Sequence, residues 1–218
     1  MAADACFIKP AFGIFAQAHS LNYMSKGAAT RLIILQKAFE LVYRKGYQAT
    51  SIDDIIATTQ VTKGAFFYHF KNKDEMGLAM INEVMHPGMY PALIQPLESA
   101  SNPVSELYNM MKALLIGNPF FEVRYGCPAI NLMEEMAPLN EEFKQALAHL
   151  SSRWKKAIEA CIEQGQRGGK IKPHVNAEQV AFFIISGYGG IRNLGKLYGS
   201  ACYITYLQEL KNYLSGLQ

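Results

Sequence analysis

The sequence predicts an all-α fold, and three observations carry that expectation. Apolar residues recur at spacings of three and four nearly throughout the chain. Helix-start signatures recur, with Ser51 three residues before Asp54 and Asn72 three residues before Glu75. No hairpin signal or sustained apolar/polar alternation competes with them. About nine helices are expected, arranged as a small N-terminal unit and a larger C-terminal one with a boundary near residue 80.

Taken in order, residues 28–45 form the first helix. Leu32, Leu35, Ala38, Phe39, Val42 and Tyr43 make its apolar stripe, and Gly46 closes it. A short helix follows the Ser51 box, with Ile52, Ile55 and Ile56 inward. Residues 58–61 form a turn, and Thr62 caps a second short helix over 63–70. Asn72 opens a longer helix that Pro87-Gly88 should end or kink. Further on, Pro103 starts a helix reaching about Ile116, and Gly117-Asn118-Pro119 breaks it. Gly126-Cys127-Pro128 precedes a short helix through Met136. A long helix over 141–166 carries Phe143, Leu147, Leu150, Trp154, Ile158 and Ile162 on one stripe. Residues 165–172 read as a loop, and helices over 176–195 and 201–215 complete the chain.

Composition narrows the function. The 218 residues are 50% hydrophobic and 18% charged, which excludes a disordered chain. The uncharged runs at 10–25 and 179–191 are too short or too polar to span a bilayer. Cys6, Cys127, Cys161 and Cys202 are scattered, with no metal-ligand or disulfide spacing, so a reducing, cytoplasmic setting is expected. No catalytic motif, metal set or cofactor motif is found, and a non-enzymatic protein is expected. Residues 1–23 read as an N-terminal extension. Their readings are a poor signal peptide, a loose tail, or a stretch ahead of a true start at Met24.

The net charge of +3 is unevenly placed. Residues 24–81 hold eight basic and five acidic side chains, whereas 1–23 and 82–218 each balance to zero. That asymmetry hints at a polyanion partner for the first unit. The same segment contains two short helices joined by a tight turn, the spacing of a helix-turn-helix over about 51–70. In such a unit the second helix enters the major groove. Thr62 and Lys63 offer a hydroxyl and a cation at its start. Gly64 and Ala65 let the backbone come close to bases, and Ala65 suits a thymine methyl. Tyr68 and His69 are donors of suitable length. Lys73 joins free N–H groups at the next helix start, and Thr50 and Ser51 offer a similar phosphate site. Phe66 and Phe70, one turn apart, read as core.

The stretches Thr50-Ser51-Ile52-Asp53-Asp54-Ile55-Ile56 and Val61-Thr62-Lys63-Gly64-Ala65-Phe66-Phe67-Tyr68-His69-Phe70-Lys71-Asn72-Lys73-Asp74-Glu75 closely resemble the TetR family of bacterial transcriptional regulators. The resemblance covers about residues 28–82. It implies a DNA-binding domain over 24–82 and a ligand-binding and dimerisation domain over 83–218. It further implies a homodimeric repressor that leaves double-stranded operator DNA when a small molecule binds. On this pattern Thr62, Lys63, Gly64, Ala65, Tyr68, His69 and Lys73 are the DNA contacts. Phe67 departs from it: the family often has a tyrosine there, whose hydroxyl meets a phosphate. The alternative is an all-helical dimeric interaction or sensor module with weak or lost DNA binding.

The second unit is less sharply marked. Apolar stripes on its last two helices are the expected dimer surface, with Phe183, Ile184, Gly187 and Ile191 on one and Tyr206, Leu207 and Leu210 on the other. A pocket for a small apolar, aromatic or electrophilic effector is expected from Phe120, Phe121, Tyr125, Met133, Met136 and Trp154. Cys127 stands at a helix start with Arg124 nearby, a setting that makes a thiol reactive. A Gly-Cys pair here resembles a subgroup of the family that senses oxidants or electrophiles. An inert buried thiol is the other reading.

Overall fold

The computed structural model describes residues 25–218 apart from Ser99 and Pro119. The readings of residues 1–23 lie outside the described residues. Merging abutting segments, the described residues form nine helices and a short 3-10 turn, with no strand.

Helix α1 is Lys26–Lys45. Ser25 caps its start and Gly46, at φ 91°, closes its end, where a side chain would be strained. Its buried stripe is Ile34, Leu35, Ala38, Phe39, Val42 and Tyr43, so Ile34 takes the place expected for Leu32. Helix α2 is Ile52–Ala57, with the full Ser51–Asp54 capping box. Helix α3 is Lys63–His69, where Thr62 accepts the Ala65 N–H at 3.2 Å.

Helix α4 runs over residues 73–98. Asn72 accepts the Glu75 N–H at 2.8 Å, but the Glu75 carboxylate turns to the Lys71 N–H instead of the Asn72 N–H, so only half of the second expected box forms. Pro87-Gly88 does not end this helix. Wider π-helical turns at Ile81–Met85 and Tyr90–Ile94 bracket Pro87 and contain Pro91. A proline ring clashes with the carbonyl four residues back in a regular helix, and the wider turns give it room.

Helix α5 spans residues 103–117, starting at the Asn102 cap and ending in a π-helical turn at Ala113–Gly117. The 3-10 turn Val123–Tyr125 leads to α6, Pro128–Met136. Helix α7 is Glu141–Arg167, so Gly165, expected in the following loop, is helical and buried beneath Ile171. Helix α8, Ala177–Tyr198, runs three residues beyond its expected end to Gly199, and α9 is Ala201–Ser215.

Two apolar clusters organise these helices. One joins α1–α3 and the first half of α4 to Leu132 and Met136 of α6 and to Phe143, Leu147 and Leu150 of α7. The other joins the second half of α4 with α5 and α7–α9. The N-terminal unit therefore shares its core with the helices beneath it. Gly77 lets α4 pass directly against the Tyr47 and Phe143 rings, where a Cβ would collide with both. Among the described residues no helix is long and apolar enough to cross a membrane.

Candidate nucleic-acid interface and sensing cavity

Helix α3 has two faces. Phe66 and Phe70 are buried in the head core, as their spacing predicts. Thr62, Lys63, Gly64, Phe67 and Tyr68 face solvent, and Tyr68 is 83% exposed. A Cβ on Gly64 would meet nothing, so the helix start is open to close approach by another backbone or a base edge. Lys63 pairs with Asp53 at 3.0 Å across the turn, both side chains being largely exposed. Such a pair is weak in water and exchanges easily for a phosphate.

Several expected side chains are otherwise engaged. Thr50 is 1% exposed, and its hydroxyl donates to the Gly46 carbonyl at 2.7 Å. It holds the α1–α2 corner and has no surface left for a phosphate, which corrects the expectation for this residue. Ser51 stays exposed while capping α2. Lys73 folds back, its Nζ 3.3 Å from the Gln48 carbonyl and 4.5 Å from the Tyr47 ring centre. His69 is half-buried, and Ala65 is half-buried at the rim.

Arg31 was not marked by sequence reasoning. Its guanidinium donates to Glu83 of α4 at 2.6 Å and to the His69 carbonyl at 3.0 Å, and lies 4.4 Å from the Phe70 ring centre. The Glu83 hydrogen bond raises its pKa further. One side chain thus ties α1, the end of α3 and α4 together and fixes how α3 is presented. Only the fold brings residues 38 and 52 positions apart to one guanidinium.

The larger unit contains a cavity of about 270 Å³. Phe121, Cys127, Met133 and Trp154 line it, together with Phe39, Met89, Leu114, Ile130, Ile185 and Tyr188. Phe120, Tyr125 and Met136 do not. Phe120 stacks between Phe39 and Tyr43. Tyr125 packs edge-on to Tyr43 and under Arg124, and Met136 belongs to the head core. Their aromatic and sulfur chemistry suited a pocket, but the segment before α6 and the end of α6 turn them toward α1 and the head core instead.

Cys127 is buried on the cavity wall at the start of α6. Arg124 does not reach it, being turned outward to Glu122 at 2.8 Å. The nearby cation is Arg192 of α8, fully buried, whose Nη2 donates to the Gly126 carbonyl. The Tyr43 hydroxyl donates to the same carbonyl at 3.1 Å. Gly126, at φ 69°, therefore joins α1 and α8 at one oxygen beside the thiol. Burial, helped by the neighbouring Cys127 thiol, pushes the Tyr188 hydroxyl well above its ordinary pKa, so it stays protonated.

Helix α6 connects the cavity to the head. Cys127 and Met133 face the cavity, while the Glu135 carboxylate accepts the N–H groups of Tyr47 at 2.8 Å and Gln48 at 2.6 Å, just past the end of α1. A carboxylate on two backbone donors is a strong, directional clamp.

On the last two helices the expected dimer stripes divide. Ile184, Ile191, Leu207 and Leu210 are buried in their own chain's core, because α8 and α9 turn those faces onto α5 and α7 and onto each other. Gly187 seats the Tyr206 ring of the same chain. Phe183 remains exposed, and Phe182, Leu194, Leu197, Tyr198 and Ile204 join it as outward apolar residues.

Comparison with known proteins agrees with this architecture. Residues 34–80 match the bacterial regulatory proteins of the tetR family, and residues 104–209 match the tetracyclin repressor-like C-terminal domain. The repressor DhaR of Mycobacterium sp. (strain GP1) is 28% identical over 161 residues, covering 72% of this chain and 77% of that protein. An uncharacterized HTH-type regulator from the lacX 3′ region of Lactococcus lactis subsp. lactis is 34% identical over 129 residues, covering 59% of this chain and 66% of that protein. Among solved structures, a TetR family regulator from Cytophaga hutchinsonii superposes with a TM-score of 0.78 at 21% identity, over 89% of this chain and 98% of that one. The reduced form of Escherichia coli NemR superposes with a TM-score of 0.74 at 18% identity, over 86% and 96%. The chain belongs to the TetR family of bacterial transcriptional regulators and is a DNA-binding, ligand-responsive protein with a helix-turn-helix head and a helical effector-binding body.

Proposed function

We propose that this protein is a cytoplasmic, non-enzymatic homodimeric repressor that leaves its operator when a small molecule enters the cavity of the body. Residues 24–82 are the DNA-reading unit and 83–218 the sensing and pairing unit. Thr62, Lys63, Gly64, Ala65 and Tyr68 read the DNA, with Ser51, His69 and Lys73 at the phosphate rim. The exposed apolar face of α8 and α9, with Phe183, Leu194, Leu197 and Tyr198, pairs two copies. The observation that carries the reading is α6 itself: one end walls the cavity and the other holds the α1–α2 corner through Glu135. A ligand that pushes on Met133 or Ile130 moves the same helix that positions the head.

The test is fluorescence anisotropy with labelled duplexes tiled across DNA upstream of the coding region. Tight binding to one duplex, weakening as salt rises, supports the reading. Equal and weak binding to all duplexes at low salt breaks it.

A second reading is favoured by the place of Cys127 on the cavity wall. An electrophile that fits the cavity meets this thiol, and its adduct would press on the start of α6. Mass spectrometry after mild electrophile treatment checks it, and an unmodified Cys127 removes it.

A further inference from the structure

The exposed face of α3 is poor in groups that read bases by hydrogen bonds. The helix is Lys63-Gly64-Ala65-Phe66-Phe67-Tyr68-His69 and contains no Arg, Asn, Gln, Asp or Glu. Those side chains, with lysine, are the usual partners of base edges in the major groove. Gln60 stands outside the helix, in the turn before the Thr62 cap. Lys63 is the one such group on α3, and its ammonium is paired with Asp53. The Thr62 hydroxyl is occupied as the cap, accepting the Ala65 N–H.

A phenyl ring stands on the same face. Phe67 is 45% exposed, whereas Phe66 and Phe70 of the same helix are buried. Its ring is steadied edge-on against Phe66, with centres 5.4 Å apart and planes at 83°. Gly64 lies three residues before it, and helix positions three apart are neighbours on one side. A Cβ on Gly64 would meet nothing, so bare backbone beside the ring leaves room for a base edge. A phenyl ring has no hydroxyl to offer a phosphate. The apolar group that a base pair presents in the major groove is the thymine C5-methyl. Taking that methyl and the exposed part of the ring out of water together is favourable.

We infer that Phe67 is a specificity-determining residue, which reads a thymine of the operator by packing its ring on the C5-methyl group. The inference rests on reading α3 as the helix that enters the major groove. A phosphate contact positions a protein on DNA but carries no sequence information, whereas a contact to a base methyl does. The ring at position 67 thus adds discrimination to a helix with few hydrogen-bonding readers.

For the test, the full-length protein first selects a duplex from a random-sequence pool. Each thymine of that duplex is then replaced in turn by deoxyuridine, which pairs identically and lacks only the methyl group. At one or more positions the deoxyuridine duplex should bind about fourfold more weakly, the worth of one buried methyl. In F67A the thymine and deoxyuridine duplexes should bind equally at that position. Y68A should weaken both alike and keep the difference, since Tyr68 is a separate, 83% exposed side chain. A second measurement needs no variant. With 5-iodouracil at the sensitive position, ultraviolet light should cross-link the wild-type protein at Phe67, located by mass spectrometry. Indifference to deoxyuridine at every thymine, a difference that survives in F67A, or a cross-link at Ala65 or Tyr68 in place of Phe67 would each overturn the inference. A pool from which no duplex is enriched breaks the DNA-reading assignment of α3 and the inference with it. An enriched duplex that is indifferent to deoxyuridine breaks the inference alone.

Discussion

The head and the body of this protein store their function differently. In the head, the exposed residues of α3 lie within one short segment whose caps are set by neighbours three residues away. In the body, the cavity wall draws on α1, α4, α5, α6, α7, α8 and the loop before α6, so no segment of the chain displays it. A reading surface can be local because the DNA supplies the other half of the site. A cavity must be enclosed, and enclosure needs distant segments to meet.

This contrast can be broken or sharpened by substitution. The largest effect is expected from L197E on the outward face of α8, where Leu197 is 76% exposed. A charge there should turn the dimer into monomers by analytical ultracentrifugation and cut operator affinity at least ~100-fold, since each copy then reads one half-site. An unchanged dimer would place the pairing face elsewhere. Next, K63A combined with Y68A should lower operator affinity about 100-fold with an unchanged melting temperature, at ~1–3 kcal/mol per lost contact. Both side chains are exposed, so a large stability loss would contradict the two-faced description of α3.

Intermediate effects belong to the join between the two units. E135A leaves the Tyr47 and Gln48 N–H groups without their carboxylate and should cost about 2 kcal/mol. Operator release should also lose its dependence on effector, which separates a coupling role from a merely structural one. T50V removes a buried hydroxyl and should cost about 1 kcal/mol, visible in urea melts. Its operator affinity should stay within about twofold, because that hydroxyl faces Gly46 and not solvent.

The smallest effect concerns pH. His86 of α4 is buried against His149 and Arg153 of α7, and Arg153 Nη1 lies 3.2 Å from its Nδ1, so the ring is a neutral acceptor there. Burial first, then His149 and Arg153, hold its pKa below 6.5. The unfolded chain therefore takes up a proton before the folded one does, and stability is lost as pH falls below 6.5. The melting temperature should be lower at pH 5.5 than at pH 7.5, and H86Q should reduce that difference.

Legibility followed the same division. The Ser51 and Thr62 caps, the inward Phe66 and Phe70, and the outward Lys63, Gly64 and Tyr68 could all be read from spacing. Thr50 misled because its neighbour Ser51 is exposed, and only the closure of the α1–α2 corner turns Thr50 inward. In the body, Phe121, Cys127, Met133 and Trp154 were legible as pocket chemistry. Phe120, Tyr125 and Met136 have the same chemistry and serve the packing against α1.

By itself the sequence determined the helical class, most helix starts and the reading head, because capping and the three-to-four periodicity act between residues close along the chain. Tertiary structure decided which face of α8 is core, that Pro87 lies inside a continuous α4, that Arg31 and Glu135 hold the head, and that Cys127 and Trp154 meet on one cavity wall. Those outcomes depend on which distant helices meet, and a side chain's local pattern is the same whether it meets a neighbour, a cavity or solvent.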